Sequence, residues 1–105
     1  MSKGHFKVGT VEGTGAAINM ELGFTPSFVR LINIDGDASL DWMSSMTDGE
    51  GYKTVATGAN AQIATNGITP YAGAEGSASV GFTIGADADV NASGETIHWV
   101  ALGAE

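Results

Sequence analysis

Carboxylate and carboxamide side chains at alternate positions, Asp87-Ala-Asp89-Val-Asn91, come nearest to a chemical site in this chain. The spacing resembles the opening of a calcium loop, in which oxygen ligands at every second position converge on a hard cation. The rest of such a loop is missing: the sixth position is not glycine, and the twelfth is His98 rather than glutamate, although Glu95 is near. The set therefore reads as a turn whose Asp and Asn side chains satisfy local backbone donors, and no bound metal is expected. Asp35, Asp37 and Asp41 read the same way, as the negative rim of a solvated turn.

Catalysis of other kinds finds no better support. His5 and His98 are far apart in sequence, and no serine or cysteine nucleophile stands in a recognisable signature beside either. His98 adjoins Trp99 in an alternating run, so the two side chains should point to opposite faces of a strand, leaving His98 at the surface or in an interface. Paired carboxylates for glycoside hydrolysis are not marked by any spacing. Trp42, Trp99, Tyr52 and Tyr71 could stack sugar rings if exposed together. The alternation of Leu40 with Trp42 and of Ile97 with Trp99 instead assigns both tryptophans to the core, leaving Tyr52 and Tyr71 as the better surface candidates. No catalytic residue and no cofactor is expected.

The elements around these residues have a period of two. Val80, Phe82 and Ile84 alternate with small or polar residues, as do Ile97, Trp99 and Ala101 beyond Asn91-Ala-Ser-Gly94, which reads as two strands joined by a polar turn. Phe6 and Val8 alternate before Val11 falls out of register, and Gly13-Thr-Gly15 then predicts a first hairpin with Ala16–Leu22. Pro26 makes a corner, and Ser27–Ile34, the most apolar stretch, reads as a central strand covered on both faces. Asp35-Gly-Asp37 turns into Ser39–Met43, Ser44–Gly51 reads as an exposed loop anchored by Met43 and Met46, and three short strands follow at 52–57, 61–65 and 68–71. Asn66-Gly67 is the strongest hairpin signal among them. No window of helical periodicity appears. The expectation is a single all-β domain over residues 1–105, an antiparallel β-sandwich or barrel of about seven to nine short strands.

Composition narrows the partners. Four Lys and Arg against twelve Asp and Glu give a formal net charge of −8, which disfavours nucleic acid and anionic membrane. With no cysteine, disulfides and thiolate zinc sites are impossible, so stability rests on packing or association. Neither a signal-peptide pattern nor a membrane-length apolar run is present, and synthesis in the cytoplasm is expected. The Gly/Ala-rich stretch Gly58–Ser79 has few large side chains and is expected to lean on a neighbouring subunit.

Two segments, 22–33 (LGFTPSFVRLIN) and Gly81-Phe-Thr-Ile-Gly85 followed by 90–101 (VNASGETIHWVA), resemble small all-β structural proteins of tailed bacteriophages, in which a G-F-x-P-x-x-V corner leads into the central strand and a closing hairpin carries the second motif. The resemblance covers about a third of the chain and carries no catalytic residue with it. It implies a virion protein assembled in the host cytoplasm: a capsid decoration (cement) protein, head fibre or tail component. The expected partners are copies of itself, a homotrimer first, and the phage major capsid protein. A carbohydrate- or receptor-binding module of a phage tail is the alternative.

Overall fold

The alternation of Val29, Leu31 and Asn33 with Phe28, Arg30 and Ile32 is realised in Pro26–Asn33 (β3), where the first set is buried and the second is not. The computed structural model describes residues 5–74 and 79–103, and around β3 it places His5–Glu12 (β1), Ile18–Glu21 (β2), Ala38–Met43 (β4), Gly51–Thr54 (β5), Asn60–Ile63 (β6), Ile68–Tyr71 (β7), Gly81–Ile84 (β8) and Thr96–Gly103 (β9). They form two antiparallel sheets, one of six strands in the order β1-β9-β3-β4-β5-β6 and one of three in the order β2-β8-β7. The fold is an all-β sandwich. Residues 75–78, within the Gly/Ala-rich stretch, lie outside the described residues.

The core fills the space between the sheets. Val29, Leu31, Leu40, Trp42, Ile97 and Ala101 project from the larger sheet, and Ile68, Phe82 and Ile84 from the smaller. The period-two pattern assigns Leu40, Trp42, Phe82, Ile84, Ile97 and Ala101 to buried faces, as found, and gives no single buried face to Val29, Leu31 or Ile68. The hairpin assignments fare less well, because three of them join strands in different sheets. β1 pairs with β9 rather than β2, β2 with β8, and β8 and β9 are separated by a crossing at 85–95. Asn66-Gly67 likewise carries the chain from one sheet to the other. Asn66 does adopt the left-handed conformation, φ 66°, that makes Asn-Gly a turn former, but the turn changes sheets. The hairpin in that region is β5–β6, closed at Gly58, φ 88°. A local turn signal reports reversal of the chain and is silent about which sheet receives the next strand.

Two further expectations need correction. β3 is central, between β9 and β4, but is covered on one face only: Arg30 and Ile32 are exposed. Met43 does not anchor the 44–50 loop, since it is on the outward side of β4, whereas Met46 packs against the core. Val11 leaves the register of Phe6 and Val8 because β1 continues straight and points Val11 inward and the other two outward. Gly9, also inward, leaves room for the Trp99 indole, whose Cζ2 would be 2.9 Å from a Cβ at that position.

The tryptophans differ. Trp42 is fully buried and donates its indole N–H to the Thr47 carbonyl at 3.3 Å, whereas Trp99 is half-buried at the β1 side of the core with its ring edge-on to Phe82. Trp42→Ala should therefore cost about 3–5 kcal/mol in a urea melt, with Trp99→Ala costing clearly less. Equal losses would contradict this difference in packing.

Candidate functional site

The acidic set of the 85–95 crossing is brought together, but around a lysine. Lys53, on the inward side of β5, reaches Asp87 Oδ1 at 2.8 Å and Asp89 Oδ2 at 2.6 Å. The other Asp87 oxygen accepts the backbone N–H groups of Asp89 at 3.2 Å and Val90 at 3.1 Å, closing a turn. Burial is the largest single influence on Lys53 and pulls its pKa down, but the hydrogen bonds and charges of Asp87 and Asp89 together outweigh it and hold the ammonium above the ordinary lysine value.

Asn91 faces elsewhere. It is fully buried, accepts the backbone N–H groups of Thr14 at 2.9 Å and Gly15 at 3.3 Å, and donates to the carbonyls of Ala16 at 2.7 Å and Gly85 at 2.9 Å. Its carboxamide thus has two donors and two lone pairs all engaged. Asn33, which the sequence reading passed over as a strand residue, has the same role beside it. Its amide donates to the Asp89 carbonyl at 3.1 Å and Glu95 Oε1 at 2.8 Å, and its oxygen accepts the Gly36 N–H at 3.0 Å. An Asn breaking an apolar alternation immediately before a turn was the signal available. Asp87, Asp89 and Asn91 therefore do not converge on one point: two hold an ammonium and one holds backbone. Asp35 accepts the Thr96 N–H, Asp37 takes the left-handed conformation of the β3–β4 turn, and Asp41 pairs with Arg30 at 3.6 Å.

The histidines are placed separately. His5, at the start of β1, stacks on Phe24 with ring centroids 4.8 Å apart, and His98 is exposed between Thr10 and Ile32 on the outward side of β9. Tyr52 is exposed on the outward side of β5, while Tyr71 belongs to the smaller sheet. A shallow groove of about 300 Å³ runs past Arg30, Ile32, Ile34 and Ser39, and another of about 200 Å³ past Lys53, Val55, Ala61 and Ile63. Neither has a tyrosine or tryptophan in its lining.

The strongest candidate for function is a face. Strand register aligns Phe6, Leu102, Phe28 and Met43 in one row across β1, β9, β3 and β4, and Val8, Val100, Arg30, Asp41 and Tyr52 in the next. Among the described residues, the exposed large apolar side chains are Phe6, Val8, Ile32, Ile34, Met43, Tyr52 and Leu102, between 37% and 63% exposed. Six of them point outward from strands of the larger sheet, and Ile34 follows in the turn after β3. The outer face of the smaller sheet is ordinary by comparison, with Asn19, Thr83 and Thr69 side by side and Thr83 donating to Asn19 Oδ1 at 2.8 Å. Large exposed apolar patches mark association surfaces. The Gly/Ala-rich stretch, in which the sequence reading looked for a contact surface, supplies β6 at the edge of this same sheet and β7 of the smaller one, and among the described residues none of the large exposed apolar side chains.

No family model, curated protein or solved structure matches this chain.

Two outcomes follow for the acidic crossing. Lys53→Met should lower stability by about 1.5–3 kcal/mol, the usual worth of hydrogen bonds to charged groups. Because the Lys53 pKa is raised on folding, its contribution is fully present below the ordinary value of 10.5 and disappears as pH rises through the higher folded value. Urea melts between neutral and strongly alkaline pH should show a loss in the parent that the Met variant lacks. Calcium at millimolar concentration should leave the melting temperature unchanged, since the Lys53 ammonium already occupies the space between the two carboxylates. A rise of several degrees, reversed by chelator, would show that a cation displaces the lysine.

Proposed function

We propose that this chain is a non-enzymatic structural protein of a bacteriophage virion, a capsid decoration protein that associates with itself and stabilises the capsid surface. The observation that carries the reading is the uncovered apolar outer face of the six-stranded sheet, on a domain whose polar clusters are spent on holding its own loops. A protein that works by adhesion needs a stiff body with one sticky side, and a sandwich with one apolar exterior face supplies both. The corner at Gly23–Pro26 and the segments 81–85 and 90–101, which resemble phage structural proteins, are in this fold the entry to the central strand, and β8 and β9 with the two ends of the crossing between them. They bear on architecture, in keeping with a structural role.

The acidic surface fits the same reading. With a net charge of −8 the domain repels nucleic acid, as a protein on the outside of a filled capsid can afford to do. The test is addition of the purified protein to phage capsids that lack decoration. Saturable binding with a higher temperature of capsid disruption is the expected result. No binding at micromolar concentration, combined with retention on a glycan array, would replace this reading with a tail carbohydrate-binding module.

A further inference from the structure

We infer that β6, at the edge of the larger sheet, takes up an extended segment of a basic polypeptide as an added strand, with apolar side chains of that segment in the groove beside Val55, Ala61 and Ile63. This edge is separate from the apolar outer face, and its use does not depend on capsid binding. The four sheet edges are the first argument. A strand with one unpaired side is a template for another chain, and such strands are ordinarily protected by a charged side chain or a proline. β1 has Lys7, β2 has Glu21 and β7 has Pro70, whereas β6, Asn60-Ala-Gln-Ile63, has neither device. The Val55 N–H donates to the Ala59 carbonyl at 3.1 Å and so sets the phase of the β5–β6 ladder. Lys53 and Ala61 then exchange bonds, while the N–H and C=O groups of Asn60 and Gln62 point away from β5, where an added strand would meet them. Residues 60–62 are exposed.

The groove is the second argument. Val55, Ala59, Ala61 and Ile63 share the inner side of the β5–β6 hairpin and line a space of about 200 Å³. Ile63 packs against the core, but Ala59 and Ala61 are exposed, because the smaller sheet has three strands to set against six. Every second side chain of an added strand would point into this space. Charge then selects the occupant. Glu12, Asp35, Asp37, Asp87, Asp89 and Glu95 gather at the end of the larger sheet where β9 begins, held there by the Glu12–Thr96 pairing, the bond from the Thr96 N–H to Asp35, the β3–β4 turn and the bonds of Asn33 to Asp89 and Glu95. Lys53 joins Asp87 and Asp89 to the strand that pairs with β6, and it is the only lysine or arginine at that end among the described residues. A second copy would bring an equally acidic end to the same edge and be repelled, whereas lysines or arginines flanking an apolar segment would be drawn to it.

The experiment is fluorescence anisotropy of a dye-labelled peptide, Lys-Lys-Val-Thr-Val-Thr-Val-Thr-Lys-Lys, titrated with the purified chain. Saturable binding at micromolar concentration is expected, weakening as salt is raised. Gln62→Pro removes an edge donor without touching a β5–β6 bond, and should weaken binding by about tenfold or more while circular dichroism stays that of the parent. If that variant fails to fold, Ala61→Lys, which stands a cationic side chain in the groove, is read in its place and should weaken binding likewise. The peptide with glutamate for lysine, and the one with proline for threonine, should not bind. Absence of saturation below millimolar peptide affinity, or a folded Gln62→Pro that binds like the parent, overturns the inference. Equal binding of the proline peptide does so too, since it reduces the attraction to charge alone. A parent dimer in light scattering that Gln62→Pro dissociates would put a second copy on β6 and likewise overturn it.

Discussion

The carboxamide of Asn91 is the constraint on which the meeting of the two sheets depends. Fully buried, it is bonded to the backbone of 14–16, which leads from β1 of the larger sheet to β2 of the smaller, and to Gly85, where the chain leaves β8 to return to β9. Burying an amide is costly unless all its hydrogen bonds are made, and here the four bonds fix two crossings in opposite directions against each other. Asn33 performs the companion task from β3, holding Asp89 and Glu95 of the same return crossing. The apolar core alone would allow the smaller sheet to slide over the larger. The two asparagines set its position.

Lys53 completes this clamp and has a consequence for charge. By placing an ammonium between Asp87 and Asp89 inside the crossing, the fold neutralises part of its acidity internally. Arg30 does so on the outer face with Asp41. Two of the four basic side chains are thus committed to specific carboxylates, and Lys7 donates to the Leu22 carbonyl at 2.8 Å. The remaining acidity is concentrated in turns and loops such as 35–37 and 48–50, leaving the centre of the larger sheet's exterior apolar and close to neutral.

The two exteriors of the sandwich therefore differ in kind. The smaller sheet ends in Asn and Thr, as a solvated antiparallel sheet does, while the larger presents phenylalanine, valine, isoleucine, methionine and leucine in register. This asymmetry, rather than any cluster of reactive groups, gives the molecule a direction in which to act.

The sequence by itself determined the class of fold, the strand positions and most inward side chains, because a period of two is a local property of the chain and needs no knowledge of partners. Leu40 and Trp42 around Asp41, or Ile97 and Ala101 around His98, could be assigned by counting. The tertiary structure alone decided which strands pair. Gly13–Gly15, Asn66-Gly67 and 85–95 have the composition of hairpin turns and act as crossings, since turn chemistry fixes backbone angles but not the sheet in which the next strand finds its hydrogen bonds. It also decided that Asp87, Asp89 and Asn91, equally spaced in the chain, serve different partners, because Lys53 and residues 14–16 come from distant parts of the sequence. Phe6 and Val8 carry the same ambiguity: alternation puts them on one side of their own strand, and only the strand pairing and the position of the second sheet show that this side joins Leu102 and Met43 on the face left open.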